Sequence, residues 1–407
     1  MNANPESALY LNRLEARILR TLEGVSSSFT FCDLVERCDG AFPVDVLRTL
    51  ESLRDSGQIP AHYARLQRKD SGISPSEKNP ELPEPHPADF DWRFTSDTKR
   101  LVVERILTLT PPNGSVLLLG TPTLMIALQG MKVQPTLVDH NSKVIEALRR
   151  MGIKNLILGD IFEQLLLHDD SFDCAVVDPP WYPEHYAAGF EHAARALKLD
   201  GIALASVLPP LTRPLAVSDR SNLVRGALEL GFDLVDATPQ VLDYEVPPFE
   251  RTVLAANGID CGHWRHGDLF MFRKMANAPV AIERQIQPEH WTSFLVGGLQ
   301  IKVRDHKTAN HAFFVERIGS DEGLGTVSRR FERRSDINVW NSRNDAFQVS
   351  NTEPVIAALA LMEAGEPAAT ALSTCQQQFE LHENETAQLE KLLRTLLTGA
   401  SVEKVQD

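Results

Sequence analysis

The residues best suited to chemistry stand together in DCAVVDPPWYPEHY, from Asp173 to Tyr186. An apolar run ends on Asp178, two prolines follow, and Trp181 and Tyr182 come next. Proline has no backbone N–H, so Pro179 offers its carbonyl without a competing donor. A carboxylate beside such a carbonyl can accept the hydrogens of an amine and leave its lone pair aimed at an electrophile. Trp181 or Tyr182 can stack on a flat or cationic substrate. That is a device for alkyl transfer to nitrogen, achieved by positioning more than by acid–base work. A turn that merely stops a strand would use prolines too, so the surrounding elements must decide.

From Phe90 to Lys274, short apolar runs alternate with amphipathic stretches. SVLLLG, PTLVDH, NLILGD, FDCAVVDPP and GIALASVL are continuous rather than alternating, as buried parallel strands are. TLMIALQGM, SKVIEALRRMG and PEHYAAGFEHAARALKLDG lie between them, with FEQLLLHDD as a linker. This order predicts a doubly wound α/β fold, whose ligands sit at the carboxyl ends of the strands. Those ends carry Gly120, Asp139, Asp160 and Asp178. Asp139 follows the second strand, where a carboxylate takes both hydroxyls of a ribose. Asp160 and Ile161 are placed to meet an adenine edge and face. Thr121 and His140, next to Gly120 and Asp139, complete the expected nucleoside site. The first loop, GTPT, has one glycine, and Pro122 removes a donor, so a phosphate cradle is absent. Nicotinamide cofactors and nucleoside triphosphates are therefore not expected.

The chain has 407 residues, too many for one ordinary core, and a net charge of −14. That charge opposes a general grip on nucleic acid and suits a cationic or neutral substrate. No apolar run is long enough to span a membrane, and MNANPESALYLNRLEARILR lacks a signal-peptide core. Five dispersed cysteines without a CxxC pair read as reduced thiols, with no disulfide frame and no metal site. A cytoplasmic location is the expectation.

Residues 1–67 show three apolar helical stripes and suggest a winged-helix-like domain used for docking or dimerisation. Residues 68–88, rich in Pro, Ser and charge, read as a linker. Residues 89–280 form the transferase-like domain. Residues 281–407 form an α+β extension, with strand-like TSFLVGGLQIKVR and INVWNSRNDAFQV followed by three helices. Asn384 and Gln388 are the residues offered as a cap for the last helix. Whether two copies pair as a homodimer is left open.

The DPPW string, Asp178 to Trp181, resembles that of methyltransferases acting on the adenine amino group. The wider pattern resembles the branched-chain polyamine synthases, in FDWRFTSDT, VLLLGTPTLMIAL, LVDHNSKVIEAL, FDCAVVDPPW, GFEHAARALKLDG, GFDLVDATPQVLDYEVP and GDLFMFRK. That resemblance covers the N-terminal segment and the stretch from Phe90 to Lys274. It implies a Rossmann-like class I methyltransferase fold with a winged-helix-like N-terminal domain. It further implies aminopropyl transfer from decarboxylated S-adenosylmethionine to an amine. One departure stands out: the family carries three aspartates after the glycine, where this chain has Thr121, Pro122 and Thr123. A neutral loop removes the repulsion toward the carboxylate of intact S-adenosylmethionine and leaves a positive helix end. Methyl transfer to an amine of adenine, a peptide or a small molecule is thus the alternative. A lapsed enzyme kept as a binding module is the third reading. Glu184, Asp243, Glu245 and Asp268 are candidates to supply acid to a polyamine pocket. The C-terminal section, AFQVSNTEPVIAALALMEAG, weakly resembles peptide-recognition modules, which would make the acceptor a peptide amine.

Overall fold

The computed structural model describes residues 5–26, 28–69, 82–277, 290–306, 313–320, 324–328 and 331–398. Helices α1 (Pro5–Leu22), α2 (Phe31–Glu36) and α3 (Pro43–Asp55) open the chain. Thr30 caps α2, exchanging hydrogen bonds with Asp33. The three predicted helices are present, but no strand forms a wing among the described residues of this segment. Nor is its core its own. Leu14, Ile18, Leu34, Val35 and Leu50 share one apolar cluster with Val246, Leu254, Cys261 and Trp264 of the next domain.

The central sheet follows β1 (Arg93–Phe94) and α4 (Ser96–Leu109). Its further strands are β2 (Gly114–Leu119), β3 (Val133–Asp139), β4 (Leu156–Leu158), β5 (Phe172–Val177), β6 (Leu197–Val207), β7 (Phe232–Glu245) and β8 (His266–Lys274). Helices α5 (Pro122–Ala127), α6 (Ser142–Arg150), α7 (Pro183–Ala196), α8 (Ala216–Glu229) and α9 (Pro248–Ala256) are interspersed. The strand order is β1-β7-β8-β6-β5-β2-β3-β4. Strands β4, β3, β2, β5 and β6 are parallel, and β8 runs antiparallel to both β6 and β7. The leucines, valines and alanines of β2, β3 and β5 are buried on both faces, which is why the sequence shows continuous apolar runs there. Connections run outward in both directions from the β2–β5 pair, so the crevice lies at the carboxyl ends of those two strands.

A second sheet, β11-β13-β12-β10-β9, is antiparallel throughout. It comprises β9 (Thr292–Val296), β10 (Leu299–Val303), β11 (Val315–Ile318), β12 (Val339–Asn341) and β13 (Ala346–Val349). Helices α10 (Glu353–Glu363), α11 (Ala368–Gln378) and α12 (Glu383–Leu396) pack on it around Leu359, Leu389 and Leu393. Two strand-like stretches and three helices were expected here; the stretches fold as the β9–β10 and β12–β13 pairs, and the three helices are present. The cap of α12 differs: Glu385, not Asn384, accepts the backbone N–H of His382 at 2.9 Å. Gln388 instead accepts the N–H of Val315 and ties the helix to β11.

Two expectations need correction. Cys32 and Cys261 form a disulfide, so the thiols are not all reduced; Cys38, Cys174 and Cys375 are free and buried. Two dispersed cysteines met because α2 packs on the β7–β8 connection, a proximity that spacing cannot reveal. The argument from reduced thiols to a cytoplasmic location loses its premise. Of the proposed linker, residues 70–81 lie outside the described residues, yet Leu82, His86 and Pro87 beyond them are buried. The end of that segment is structural rather than solvated. Among the described residues, no helix is long and apolar enough to cross a membrane.

Candidate active site

A cavity of about 980 Å³ opens at the carboxyl edge between β2 and β5, a volume at the upper end of those that hold small ligands. It is lined by Gly120, Asp139, His140, Asp160, Ile161, Asp178, Pro179, Trp181 and Tyr182 among others. Nine of the ten residues singled out in the sequence therefore share one space. Thr121 is the exception. It is buried, its hydroxyl has no hydrogen-bond partner among the described residues, and it does not line the cavity.

Gly120 has φ +71° and donates its N–H to the Val138 carbonyl at 3.0 Å. That left-handed turn lets the loop swing past the end of β5, where the Asp178 carbonyl lies 3.5 Å from the position a Cβ would take. Helix α5 has only six residues, with Pro122 in its first turn and no side-chain cap. The positive helix end expected of the GTPT loop is thus meagre, because few free N–H groups remain.

On one side of the crevice, Asp139 accepts the Asn141 N–H at 2.8 Å, and burial pushes its pKa up to about 6. Asp160 accepts the Phe162 N–H at 2.8 Å, and the Ile161 carbonyl accepts from His192 at 2.9 Å. His140 is held by the chain itself at one nitrogen: its Nε2 lies 2.9 Å from Asp89, whose charge raises the imidazole pKa. Asp89 also accepts from Asn141 at 2.8 Å and pairs with Lys302 of β10. The second sheet is thereby fastened to the loop that follows Asp139.

On the other side, one hydrogen-bonded chain supports Asp178. The Trp181 indole N–H donates to Ser206 Oγ at 3.3 Å, Ser206 contacts the Tyr244 hydroxyl, and Tyr244 lies 2.7 Å from Asp178 Oδ1. An indole can only donate and an ionised carboxylate can only accept, so every hydroxyl proton in the chain points toward Asp178. Burial still dominates, and the Asp178 pKa is pushed up to about 7 against these bonds and the charge of Arg265. The Pro179 carbonyl accepts no hydrogen bond among the described residues.

Ser206, Tyr244 and Arg265 come from the end of β6, the end of β7 and the approach to β8. They meet because antiparallel β8 begins where its neighbours end, pairing Val207 with Asp268 and Asp243 with His266. Gly267 makes the fit possible: a Cβ there would stand 3.0 Å from Ser206 Oγ and 3.2 Å from the Trp181 ring. None of these partners was singled out in the sequence. Tyr244 stands in GFDLVDATPQVLDYEVP, but only the β7–β8 register brings its hydroxyl to Asp178.

Trp181 is 5% exposed, and its face is taken by the Arg265 guanidinium 4.0 Å away. Tyr182 faces Arg213 at 5.0 Å. The expected stacking partner of Trp181 was a substrate; in the structure it is an arginine of the chain itself. The four acids proposed for the pocket also lie elsewhere. Asp268 pairs with Arg220, Asp243 with His266 and Glu184 with His185, and neither these three nor Glu245 lines the cavity. Buried Glu250 does line it, with a pKa pushed up to about 7 by desolvation, as does Asp91.

No family profile and no curated protein matches the chain. Among solved structures, the branched-chain polyamine synthase of Thermus thermophilus, in complex with N4-aminopropylspermidine and 5′-methylthioadenosine, aligns with a TM-score of 0.53. Identity is 13%, over 68% of this chain and 90% of that one. Its C9 mutein in complex with the same compounds gives a TM-score of 0.50 at 14% identity, over 69% and 96% of the two chains. At such identity the likeness is one of fold. The chain has a Rossmann-like class I methyltransferase fold, as its strand order already indicated.

Proposed function

We propose that the protein is a transferase that moves an alkyl group from an S-adenosylmethionine-type donor to an amine nitrogen. One observation carries this reading: Gly120, Asp139, Asp160 and Asp178, from four successive strand ends, line a single cavity at the topological switch point. Asp139 would hold the ribose and Asp160 with Ile161 the adenine. Asp178 and the open Pro179 carbonyl would accept the hydrogens of the acceptor amine. The nitrogen lone pair attacks the carbon bonded to the sulfonium, the C–S bond breaks, and sulfur keeps its electron pair. The nitrogen loses one proton, for which the ionised Asp178 carboxylate is the acceptor.

The donor we favour is decarboxylated S-adenosylmethionine, giving aminopropyl transfer. The fold likeness spans 90% of a synthase whose bound compounds are an aminopropylated polyamine and 5′-methylthioadenosine. The meagre end of α5 also offers little to a donor carboxylate. Methyl transfer from intact S-adenosylmethionine is the second reading, supported by the absence of acids in the Gly120–Thr123 loop. Calorimetry with 5′-methylthioadenosine and both donors tests the proposal. Tighter binding of the decarboxylated donor is the expected result, and the reverse order selects methyl transfer. If none of the three binds at about millimolar concentration, a range typical of the weakest useful affinities, the transferase reading fails.

A further inference from the structure

The Arg265 guanidinium is held between two indoles, 4.2 Å from the Trp92 ring and 4.0 Å from the Trp181 ring. Stacking of this kind covers both flat faces and leaves the N–H edge as the only direction for hydrogen bonding. That edge has no side-chain or backbone acceptor among the described residues, and its Nε is buried without a partner. Guanidinium has five donors in a rigid fork, and leaving a buried one such as Nε unfilled is costly. Asp178 and Glu250 supply negative charge nearby, but neither hydrogen-bonds to the fork. Arg213 shows the contrast: it lines the same cavity, and its Nε and Nη2 donate to Asp219 Oδ2 at 3.0 and 2.8 Å. Arg265 also sits 5.9 Å from the Tyr244 ring, whose hydroxyl contacts Asp178. The amine-accepting groups and the unfilled fork are thus separated by about one aromatic side chain.

Resting on the transferase reading above, we infer that the acceptor is zwitterionic, carrying a carboxylate or other oxyanion beside its nucleophilic nitrogen, and that Arg265 grips that oxyanion. A simple polyamine lacks such a group and would present only ammonium to the guanidinium. Arg265 then determines acceptor specificity, while Trp92 and Trp181 aim its fork.

Ornithine and putrescine test this, because they differ only in the α-carboxylate. Binding of each to the full chain saturated with 5′-methylthioadenosine is followed by calorimetry and by tryptophan fluorescence. Ornithine should bind the wild type roughly tenfold to a hundredfold more tightly, the range for a hydrogen-bonded charged group. Arg265→Gln should bring the two affinities together, and Arg265→Lys, which keeps the charge without the fork, should retain part of the preference. Equal or tighter putrescine binding by the wild type overturns the inference. So does failure of both to bind, or a preference undiminished in Arg265→Gln. Should Arg265→Gln not fold, the wild-type ratio decides alone. Loss of methylthioadenosine binding by the wild type would instead sink the transferase reading itself.

Discussion

In the proposed transfer Asp178 accepts a proton or a hydrogen bond, and its buried position is unusual for that role. Burial raises its pKa to about 7, so at pH 6 it is mostly protonated and cannot accept from an amine. Amine-dependent consumption of the donor should therefore rise with pH through about 7. Asp178→Asn should lower that rate by about a hundredfold or more, the scale of a lost positioned proton acceptor, and remove the dependence near pH 7. Methylthioadenosine affinity should not change. Undiminished turnover by the variant would take the carboxylate out of the mechanism. The same shift bears on stability. Asp139, Asp178 and Glu250 have folded pKa values above those of the unfolded chain, so the native state holds the extra protons between about pH 4 and 7. Stability thus falls as pH rises through that window, and the Tm of Asp178→Asn should fall less steeply than that of the wild type. The DPPW string made the acid legible, since four residues name it. The Ser206–Tyr244 support was not legible, because it is assembled across three strands.

At the scale of elements, the informative contact is Asp89 between the β3–α6 loop and β10. Its carboxylate accepts from Asn141 and meets His140 and Lys302, whose charges outweigh burial and hold its pKa well below the usual carboxylate range. Lys302 is 3% exposed. Removing its partner leaves a buried charge uncompensated, a loss of about 3–5 kcal/mol. Asp89→Ala should accordingly lower Tm markedly and raise amide exchange in Leu299–Val303, while Asp89→Asn keeps part of the hydrogen bonding and loses less. Amide exchange in β10 unchanged from wild type would show that this cluster does not fasten the two sheets. His140 was expected beside a nucleoside, and it lines the cavity. Its role as a partner of Asp89, 51 positions away, could not be read from neighbours in sequence.

For the molecule as a whole, the three N-terminal helices are not a detachable module. Their apolar faces complete a cluster with Leu211, Val246, Leu254 and Trp264, and Cys32 is bonded to Cys261 across 229 positions. Trp264 lies beside Arg265 in the chain and contacts Trp92 edge-on at 5.6 Å. The packing of the N-terminal segment thereby reaches the wall of the cavity. Peptide mapping of the oxidised protein should recover Cys32 and Cys261 in one linked pair that separates on reduction, with Cys38, Cys174 and Cys375 as free thiols. A different pairing would contradict the packing of α2 against the β7–β8 connection. The cross-link closes so long a loop that its loss should also lower Tm, by restoring freedom to the unfolded chain.

Periodicity and strand-end chemistry, both local properties, determined the alternating α/β order, the carboxyl-edge acids and the proline-paired Asp178. A strand buried on both faces must be continuously apolar, and its end must carry whatever faces a ligand, so both features are written in consecutive residues. Tertiary structure alone decided which charges remain unfilled. Arg265 in HWRHGD, Glu250 in PPFERT and Cys261 in IDCGH have no local signal, because their partners arrive through antiparallel β8 and the packed N-terminal helices. Charge, burial and hydrogen-bond satisfaction depend on every group within a few ångströms, whatever its distance along the chain.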